Sequence, residues 1–124
     1  MAMILIADDE THIRILLEQT LEELEDEGVD LIVTANGQEA LESIIAKRPD
    51  LVFLDVMMPK MNGFEVCSRI KKELGLQDIC IILLTAKGQE FDKQKGLDVG
   101  ADLYMTKPFN PDEIVAKARE ILRI

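Results

Sequence analysis

Residues 49–59 read Pro-Asp-Leu-Val-Phe-Leu-Asp-Val-Met-Met-Pro, an apolar run followed by an aspartate. The run at residues 51–54 has the length and composition of a buried β-strand. Because every position in it is apolar, both of its faces must be covered, as in a parallel sheet. Asp55 follows directly, and none of its neighbours in the sequence can pair with its charge. The stretch therefore predicts a strand that carries a carboxylate at its carboxyl end.

Strand and helix patterns alternate along the rest of the chain. Four other short apolar runs predict strands, at residues 3–7, 30–34, 80–84 and 102–105. Apolar residues at helical spacing predict helices, at residues 11–27, 38–47, 63–74, 89–97 and 111–122. This alternation predicts a parallel sheet with helices on both faces and right-handed crossovers. We expect an α/β fold, a five-stranded (βα)5 three-layer sandwich, in one domain spanning residues 1–124.

The composition argues against several classes of function. The chain has 14 Lys and Arg against 24 Asp and Glu, a formal net charge of −10. A nucleic-acid surface needs basic residues to neutralise phosphates, so we expect no direct nucleic-acid binding by this domain. No apolar run approaches the roughly 20 residues that a membrane helix needs, and the first residues do not form a signal peptide. We therefore expect no membrane association. The two cysteines lack metal-ligand spacing, which favours small buried or half-buried thiols in a reducing cytoplasm.

Polar side chains follow the ends of four predicted strands. Asp8 and Asp9 follow the first strand, Asp55 the third and Thr85 the fourth, and Lys107 comes two residues after the fifth. Ligands of open α/β sheets bind outside the carboxyl ends of the strands, so these side chains should converge. Clustered carboxylates repel one another, and Mg²⁺ relieves that repulsion while sharing phosphate oxygens. The set predicts a phosphoryl site in which Asp55 is the nucleophile.

Each of these residues also has a simpler interpretation on its own. Asp8 and Asp9 are suitable capping acids for the helix that begins near residue 11. Lys107 alone is typical of a surface lysine, and Thr85 of a residue at the end of a strand. The ordered set, with one member after each of four strands, favours the phosphoryl site.

Taken together, these motifs resemble the receiver domains of two-component response regulators. The segments that carry the resemblance are residues 6–10 (IADDE), 53–59 (FLDVMMP), 61–63 (MNG), 84–86 (LTA) and 100–109 (GADLYMTKPF). They extend over most of the chain, and the sequence departs from the family pattern at none of the motif positions. The resemblance implies a flavodoxin-like fold with strand order 2-1-3-4-5, an order that the residue patterns alone do not determine.

The resemblance also implies roles in phosphoryl transfer. Asp55 would be the phosphoacceptor, taking phosphoryl from a histidine of a partner kinase or phosphotransfer protein. Asp8, Asp9, Asp55 and the backbone carbonyl of Met57 would hold Mg²⁺, with Mn²⁺ as the alternative ion. Lys107 would contact a phosphoryl oxygen and pair with a carboxylate in the resting state.

Further implied roles concern switching and local structure. Thr85 would hydrogen-bond the phosphoryl group, and Tyr104 would change rotamer with it. Gly63 would permit the tight turn into its helix, and the peptide bond before Pro108 would be cis. Phosphorylation would then change the face formed by the predicted fourth helix (residues 89–97), the fifth strand and the last helix. That face would control an output protein or effector domain, with the chain as a monomer or as a phosphorylation-dependent dimer.

Two other functions fit parts of the pattern. A Mg²⁺-dependent phosphohydrolase with an aspartyl-phosphate intermediate would also use a strand-end Asp. Phosphohydrolases that resemble the haloacid dehalogenase class carry a second Asp two residues further on, where this chain has Met57. A degenerate receiver that acts only as an interaction module would not need the complete set of site residues. We therefore expect no turnover of an external substrate, only self-phosphorylation and slow self-dephosphorylation.

Overall fold

Strands and helices alternate along the computed structural model, which describes residues 2–86 and 98–124. The strands are β1 (Met3–Ala7), β2 (Asp30–Thr34), β3 (Leu51–Asp55), β4 (Cys80–Ala86) and β5 (Leu103–Lys107). The helices are α1 (Thr11–Thr20), α2 (Glu22–Asp26), α3 (Gly37–Lys47), α4 (Gly63–Ser68) and α5 (Pro111–Leu122). A π-helical segment, Arg69–Glu73, continues α4. The helix predicted at residues 89–97 lies outside the described residues.

The five strands form one sheet in the order β2-β1-β3-β4-β5, and every neighbouring pair is parallel. This confirms the predicted α/β fold and the strand order that the resemblance implied. β3 is the central strand and is buried at all five residues. One face of the sheet packs against α3 and α4, and the other packs against α1, α2 and α5. All carboxyl ends therefore lie at the same edge of the sheet.

Two strands extend beyond their apolar runs. β4 continues through Thr85 to Ala86, and β5 continues to Lys107. These residues pair in the ladder, with Thr85 opposite Thr106 and Ala86 opposite Lys107. A strand ends where its backbone ladder ends, so a polar side chain within the ladder does not terminate it. As a result, Thr85 and Lys107 are held by the sheet itself.

The helix predicted at residues 11–27 is divided in two. Leu21 lies between α1 and α2 with φ −94° and ψ 3°, while its N–H still donates to the Leu17 carbonyl. Leu17, Leu21 and Leu24 are all fully buried, so the apolar stripe continues across the break and could not reveal it. None of the helices within residues 2–86 and 98–124 is long and apolar enough to cross a membrane.

Candidate functional site

The carboxyl ends of β1, β3 and β5 bring a lysine against two buried carboxylates. Lys107 Nζ lies 2.7 Å from Asp8 Oδ2 and 3.3 Å from Asp55 Oδ1. Asp8 is fully buried and Asp55 is 4% exposed. Glu10, for which the sequence motifs predicted no role, places its Oε1 3.6 Å from the same ammonium. The structure thus brings Asp8, Asp55 and Lys107 together as predicted, and adds Glu10, whose place directly after Asp9 was the available signal.

The surroundings of Asp55 disfavour its ionised form. Burial, followed by the negative charge of Asp8, raises the pKa of Asp55 to about 7. The charge of Lys107 and the Met57 N–H, which donates to Asp55 Oδ1 at 3.4 Å, act in the opposite direction but only in part. Burial lowers the pKa of Lys107, but its hydrogen bond to Asp8 and the nearby carboxylates outweigh this, so that pKa is raised. The site therefore holds more negative charge than one ammonium compensates.

Asp8 closes the turn that precedes α1 instead of capping the helix. Its Oδ1 accepts from the Glu10 N–H at 2.9 Å, and its backbone carbonyl accepts from Arg14 Nη1 at 2.7 Å. The N-cap residue of α1 is Glu10, which makes no side-chain capping bond. Carboxylate oxygens of Asp8, Asp9 and Glu10 lie within 4.8 Å of one another. The capping interpretation of Asp8 and Asp9 is therefore wrong for α1, and the acids are grouped at the rim.

Thr85 presents a buried hydroxyl at this edge. Thr85 is 1% exposed, and its Oγ1 has no hydrogen-bond partner within the described part of the chain. Leaving a buried hydroxyl unpaired costs about 1–3 kcal/mol, so an acceptor that arrives at the rim would be stabilised. Tyr104 is partly buried and pairs with Leu83, two residues before Thr85, so Thr85 and Tyr104 lie on the same face of the sheet.

A recess of about 200 Å³ opens beside Asp55. It is lined by residues from the ends of several strands: Asp9, Glu10, Asp55, Met57, Ala86 and Lys107. Since a water occupies about 30 Å³, the recess has room for a phosphoryl group and a few waters. The Met57 residue is 62% exposed at its rim.

Position 63 has no room for a side chain, so only glycine fits there. Its φ is not positive, so the turn into α4 does not depend on a left-handed conformation. A Cβ at Gly63 would lie 2.4 Å from the Asp55 carbonyl oxygen and 2.9 Å from Val56 Cα. The Gly63 N–H also donates to the Val56 carbonyl at 2.9 Å. Gly63 thus lets α4 pack directly on the backbone beside Asp55. The Lys107–Pro108 peptide bond is cis, as expected.

Comparison with known proteins gives one family. The chain matches the response regulator receiver domain over residues 4–119. It is 47% identical over 120 residues to the alkaline phosphatase synthesis transcriptional regulatory protein PhoP of Bacillus subtilis. It is 46% identical over 120 residues to the phosphate regulon transcriptional regulatory protein PhoB of Pseudomonas aeruginosa. These matches cover 97% of this chain but 48% and 51% of the relatives, so the chain spans about half their length.

Solved structures agree with this result. The BeF3-activated receiver domain of DrrB, a Thermotoga maritima protein, has a TM-score of 0.86 and 31% identity to this chain. That alignment covers 100% of this chain and 99% of the other. The family match extends over most of the chain, and the strand order is the one that the resemblance implied. The chain therefore belongs to the receiver domain family of two-component response regulators.

Proposed function

We propose that residues 1–124 form one receiver domain in which Asp55 accepts a phosphoryl group from a histidine of a partner kinase or phosphotransfer protein. The observation that supports this most directly is the Asp55 carboxylate, buried at the end of β3 with Lys107 Nζ 3.3 Å away. The recess that Asp55 lines has room for a phosphoryl group. On the neighbouring strand, the Thr85 hydroxyl has no hydrogen-bond partner among residues 2–86 and 98–124. A carboxylate nucleophile, a fixed cation and a free donor are the groups that phosphoryl transfer requires.

The transfer proceeds by in-line displacement at phosphorus. One carboxylate oxygen of Asp55 forms a bond to phosphorus while the bond from phosphorus to the donor's imidazole nitrogen breaks. The leaving nitrogen keeps the electron pair of that bond. Lys107 compensates the charge on the phosphoryl oxygens from a position that the sheet fixes in advance. The Thr85 hydroxyl donates to one of these oxygens, a bond for which the described residues offer it no other partner.

The residues around the recess suit a divalent cation. Mg²⁺ prefers oxygen ligands, and the grouped carboxylates supply them beside a site that is short of positive charge. Asp8, Asp9, Asp55 and the backbone carbonyl of Met57 would hold Mg²⁺, with Mn²⁺ as the alternative ion. Bound there, the cation would neutralise charge on the phosphoryl group.

A mass measurement tests the proposal. The protein is incubated with Mg²⁺ and phosphoramidate, a small phosphoryl donor, and is then weighed. We expect a gain of one phosphoryl group in the wild type and in the exposed control Asp26→Asn, and no gain in Asp55→Asn or in the presence of a chelator. Phosphorylation of Asp55→Asn would contradict the assignment. Many turnovers of released phosphate would indicate a phosphohydrolase, and no reaction at all would indicate an interaction module.

The proposal includes an output that phosphorylation controls. The phosphoryl group carries roughly −1.5 to −2 charges where the Asp55 carboxyl carried at most one, and this added charge can shift an existing conformational equilibrium. The responding face would comprise β5, α5 and residues 89–97, the last of which lie outside the described residues. The relatives named above are transcriptional regulators about twice as long as this chain. This favours an effector domain or a separate output protein as the part that responds to phosphorylation. With a net charge of −10, we expect this domain, acting in the cytoplasm, to bind no nucleic acid itself.

A further inference from the structure

The loop that follows Asp55 contains a strained turn between two fixed ends. We call residues 56–62 the phosphoacceptor loop. At its first residue, the Val56 N–H donates to the Leu84 carbonyl at 3.0 Å. In its middle, the Met61 N–H donates to the Pro59 carbonyl at 2.8 Å, and Lys60 between them has φ 70°. A three-residue turn with positive φ at its central residue is rare and strained, and it persists only where neighbouring structure holds it.

Gly37 provides the neighbouring contact. It is buried as the first residue of α3, and a Cβ at this position would lie 1.7 Å from the Met61 carbonyl oxygen. The backbones of α3 and the phosphoacceptor loop therefore touch, and only glycine leaves room for this. The start of α3 is itself fixed, because Asn36 Oδ1 accepts from the Glu39 N–H and Asn36 Nδ2 donates to Glu39 Oε2, both at 2.9 Å.

The segment that leads into α3, residues 34–37, also contacts the backbone of Asp8. The Asp8 N–H donates to the Thr34 carbonyl at 3.3 Å, beyond the last ladder pair of β1 and β2. The Thr34 hydroxyl donates to the Ile6 carbonyl at 3.0 Å, and Thr34 is 5% exposed. Residues 34–37 thus touch the backbone of Asp8 at one end and that of Met61 at the other.

We propose that residues 34–37 form a brace that sets the spacing between Asp8 and the phosphoacceptor loop, with Gly37 as its positioning residue. The brace contacts neither the phosphoryl group nor the cation. It acts through Met61 on Met57, whose N–H donates to Asp55 and whose carbonyl is one of the proposed cation ligands. The inference rests on the function proposed above for the site, and it adds a segment to which neither the motifs nor the resemblance gave a role in the chemistry.

The variant Gly37→Ala tests the brace, because its Cβ must displace the Met61 carbonyl by roughly 1 Å or more. Such a displacement in a reaction site costs up to about 100-fold in rate. We expect at least a roughly tenfold slower phosphorylation by phosphoramidate, a several-fold higher Kd for Mg²⁺ in calorimetry and a shifted Met57 amide in NMR. The control is Gly28→Ala, where φ is 99° and no atom lies within 4 Å of the added Cβ. It strains the backbone far from the loop, and we expect its rate and Kd to match the wild type.

A folded Gly37→Ala protein with the rate, the Kd and the Met57 amide of the wild type would overturn the inference. If Gly37→Ala does not fold, Asn36→Ala replaces it, since loss of the cap loosens the start of α3 without adding an atom. We expect Asn36→Ala to shift the Met57 amide and weaken Mg²⁺ binding, and an unchanged amide and Kd would again overturn the brace. The amide and the Kd do not depend on phosphorylation. A wild-type protein that gains no phosphoryl group would therefore refute the proposed function while these two measurements still decide the brace.

Discussion

Burial of Asp55 at the end of β3 costs folding free energy, because its carboxylate gives up water and faces the charge of Asp8. Its raised pKa, about 7 against an ordinary 3.8, expresses this cost. Lys107 and the Met57 N–H offset part of this cost because they stabilise the ionised carboxylate. The position of Asp55 thus lowers the stability of the fold. A bound cation would supply the positive charge that Lys107 alone does not provide.

The first prediction concerns the pH dependence of stability. Between about pH 4 and pH 7, the folded protein binds more protons at Asp55 than the unfolded chain does, so the free energy of unfolding falls as the pH rises. Asp55→Asn removes this loss. We expect the variant to gain roughly 1–3 kcal/mol over the wild type on going from about pH 4 to about pH 8, in chelator, by urea unfolding. A difference that does not change with pH would contradict the assignment of the raised pKa to Asp55.

The second prediction concerns Lys107, which pairs with Asp8 and Asp55 while only 14% of its side chain is exposed. Lys107→Met leaves two buried carboxylates without their cation. We expect a loss of roughly 2–3 kcal/mol at neutral pH in chelator, partly recovered by Mg²⁺, and at least a roughly tenfold slower phosphorylation.

Lys117→Met is the matched control for Lys107→Met. Lys117 Nζ lies 3.1 Å from Glu120 Oε2, an exposed pair of the kind that contributes little. We expect its unfolding free energy and its phosphorylation rate to stay near the wild-type values. If Lys107→Met and Lys117→Met changed the unfolding free energy and the phosphorylation rate equally, Lys107 would have no particular role beside Asp8 and Asp55.

The sequence placed several of the site residues at one edge because the ends of parallel strands converge there whatever the side chains do. Asp8, Asp55 and Lys107 follow from that rule alone. Glu10 and the unsatisfied hydroxyl of Thr85 do not, since they depend on where a side chain points and on which partners it finds. Side-chain directions and hydrogen-bond partners are decided by packing, and the spacing of residues along the chain does not predict them.

At the scale of elements, all five predicted strands are present, with β4 and β5 ending two residues later than predicted, and the helices predicted at residues 38–47 and 111–122 agree with the structure to within one residue. The final helix, Pro111–Leu122, coincides with its prediction because Asn110 caps it and Pro111 opens it. The pattern at residues 63–74 predicted one regular helix, whereas the structure changes to a π-helical segment at Arg69–Glu73. A wider turn shifts side chains by less than the breadth of an apolar stripe, so the hydrophobic pattern does not register it.

The third prediction arises on that π-helical segment. The Lys71 side chain is 1% exposed, and its Nζ lies 2.8 Å from Asp102 Oδ2 and 3.3 Å from the Gln77 carbonyl. Asp102 Oδ2 also accepts from the Ile81 N–H, so this pair ties the segment to the starts of β4 and β5. We expect Lys71→Met to lower the free energy of unfolding by roughly 1–3 kcal/mol in urea, because the hydrogen bonds of the ammonium are lost, with phosphorylation unchanged in the folded protein.

The neighbouring Lys72 is exposed and provides the control for Lys71→Met. Lys72→Met should stay within roughly 0.5 kcal/mol of the wild type. Two adjacent lysines look alike in the sequence, and only the fold separates a buried partner of Asp102 from a solvated charge. A comparable loss in both variants would show that the bond from the buried Lys71 to Asp102 does not stabilise the sheet edge.

At the scale of the whole molecule, one sheet connects the edge that carries Asp55 to β5, which belongs to the proposed responding face. Thr85 pairs with Thr106 and Leu83 with Tyr104, so Thr85 and Tyr104 lie one step apart on the same face, and we expect a displacement of the Thr85 side chain to reach Tyr104. Tyr104 packs against the cluster that includes Leu83 and is only partly buried. In the proposed switch, a change at Asp55 would reach β5 through the neighbouring strand β4.

The fourth prediction tests that connection with beryllium fluoride, the activator named for the DrrB receiver domain, as a mimic of the phosphoryl group. In the wild type with Mg²⁺, we expect the NMR signals of the Tyr104 ring and of the β5 amides to shift when the mimic is added. Thr85→Val keeps the volume of the side chain but removes the hydroxyl that would donate to the mimic. We expect this variant to bind the mimic more weakly and, when saturated with it, to leave the Tyr104 signals near their resting positions.

Serine at the same position separates the hydroxyl from the rest of the side chain, because Thr85→Ser keeps the donor and loses a methyl group. We expect Thr85→Ser to retain most of the Tyr104 shift. If Tyr104 moved equally in Thr85→Val and in the wild type, the signal would not pass through the Thr85 hydroxyl. If Tyr104 did not move even in the wild type, β5 would be no part of the response. Either result would require another route from Asp55 to the surface, whereas a shift that follows the hydroxyl would make Thr85 the first residue of the switch to move.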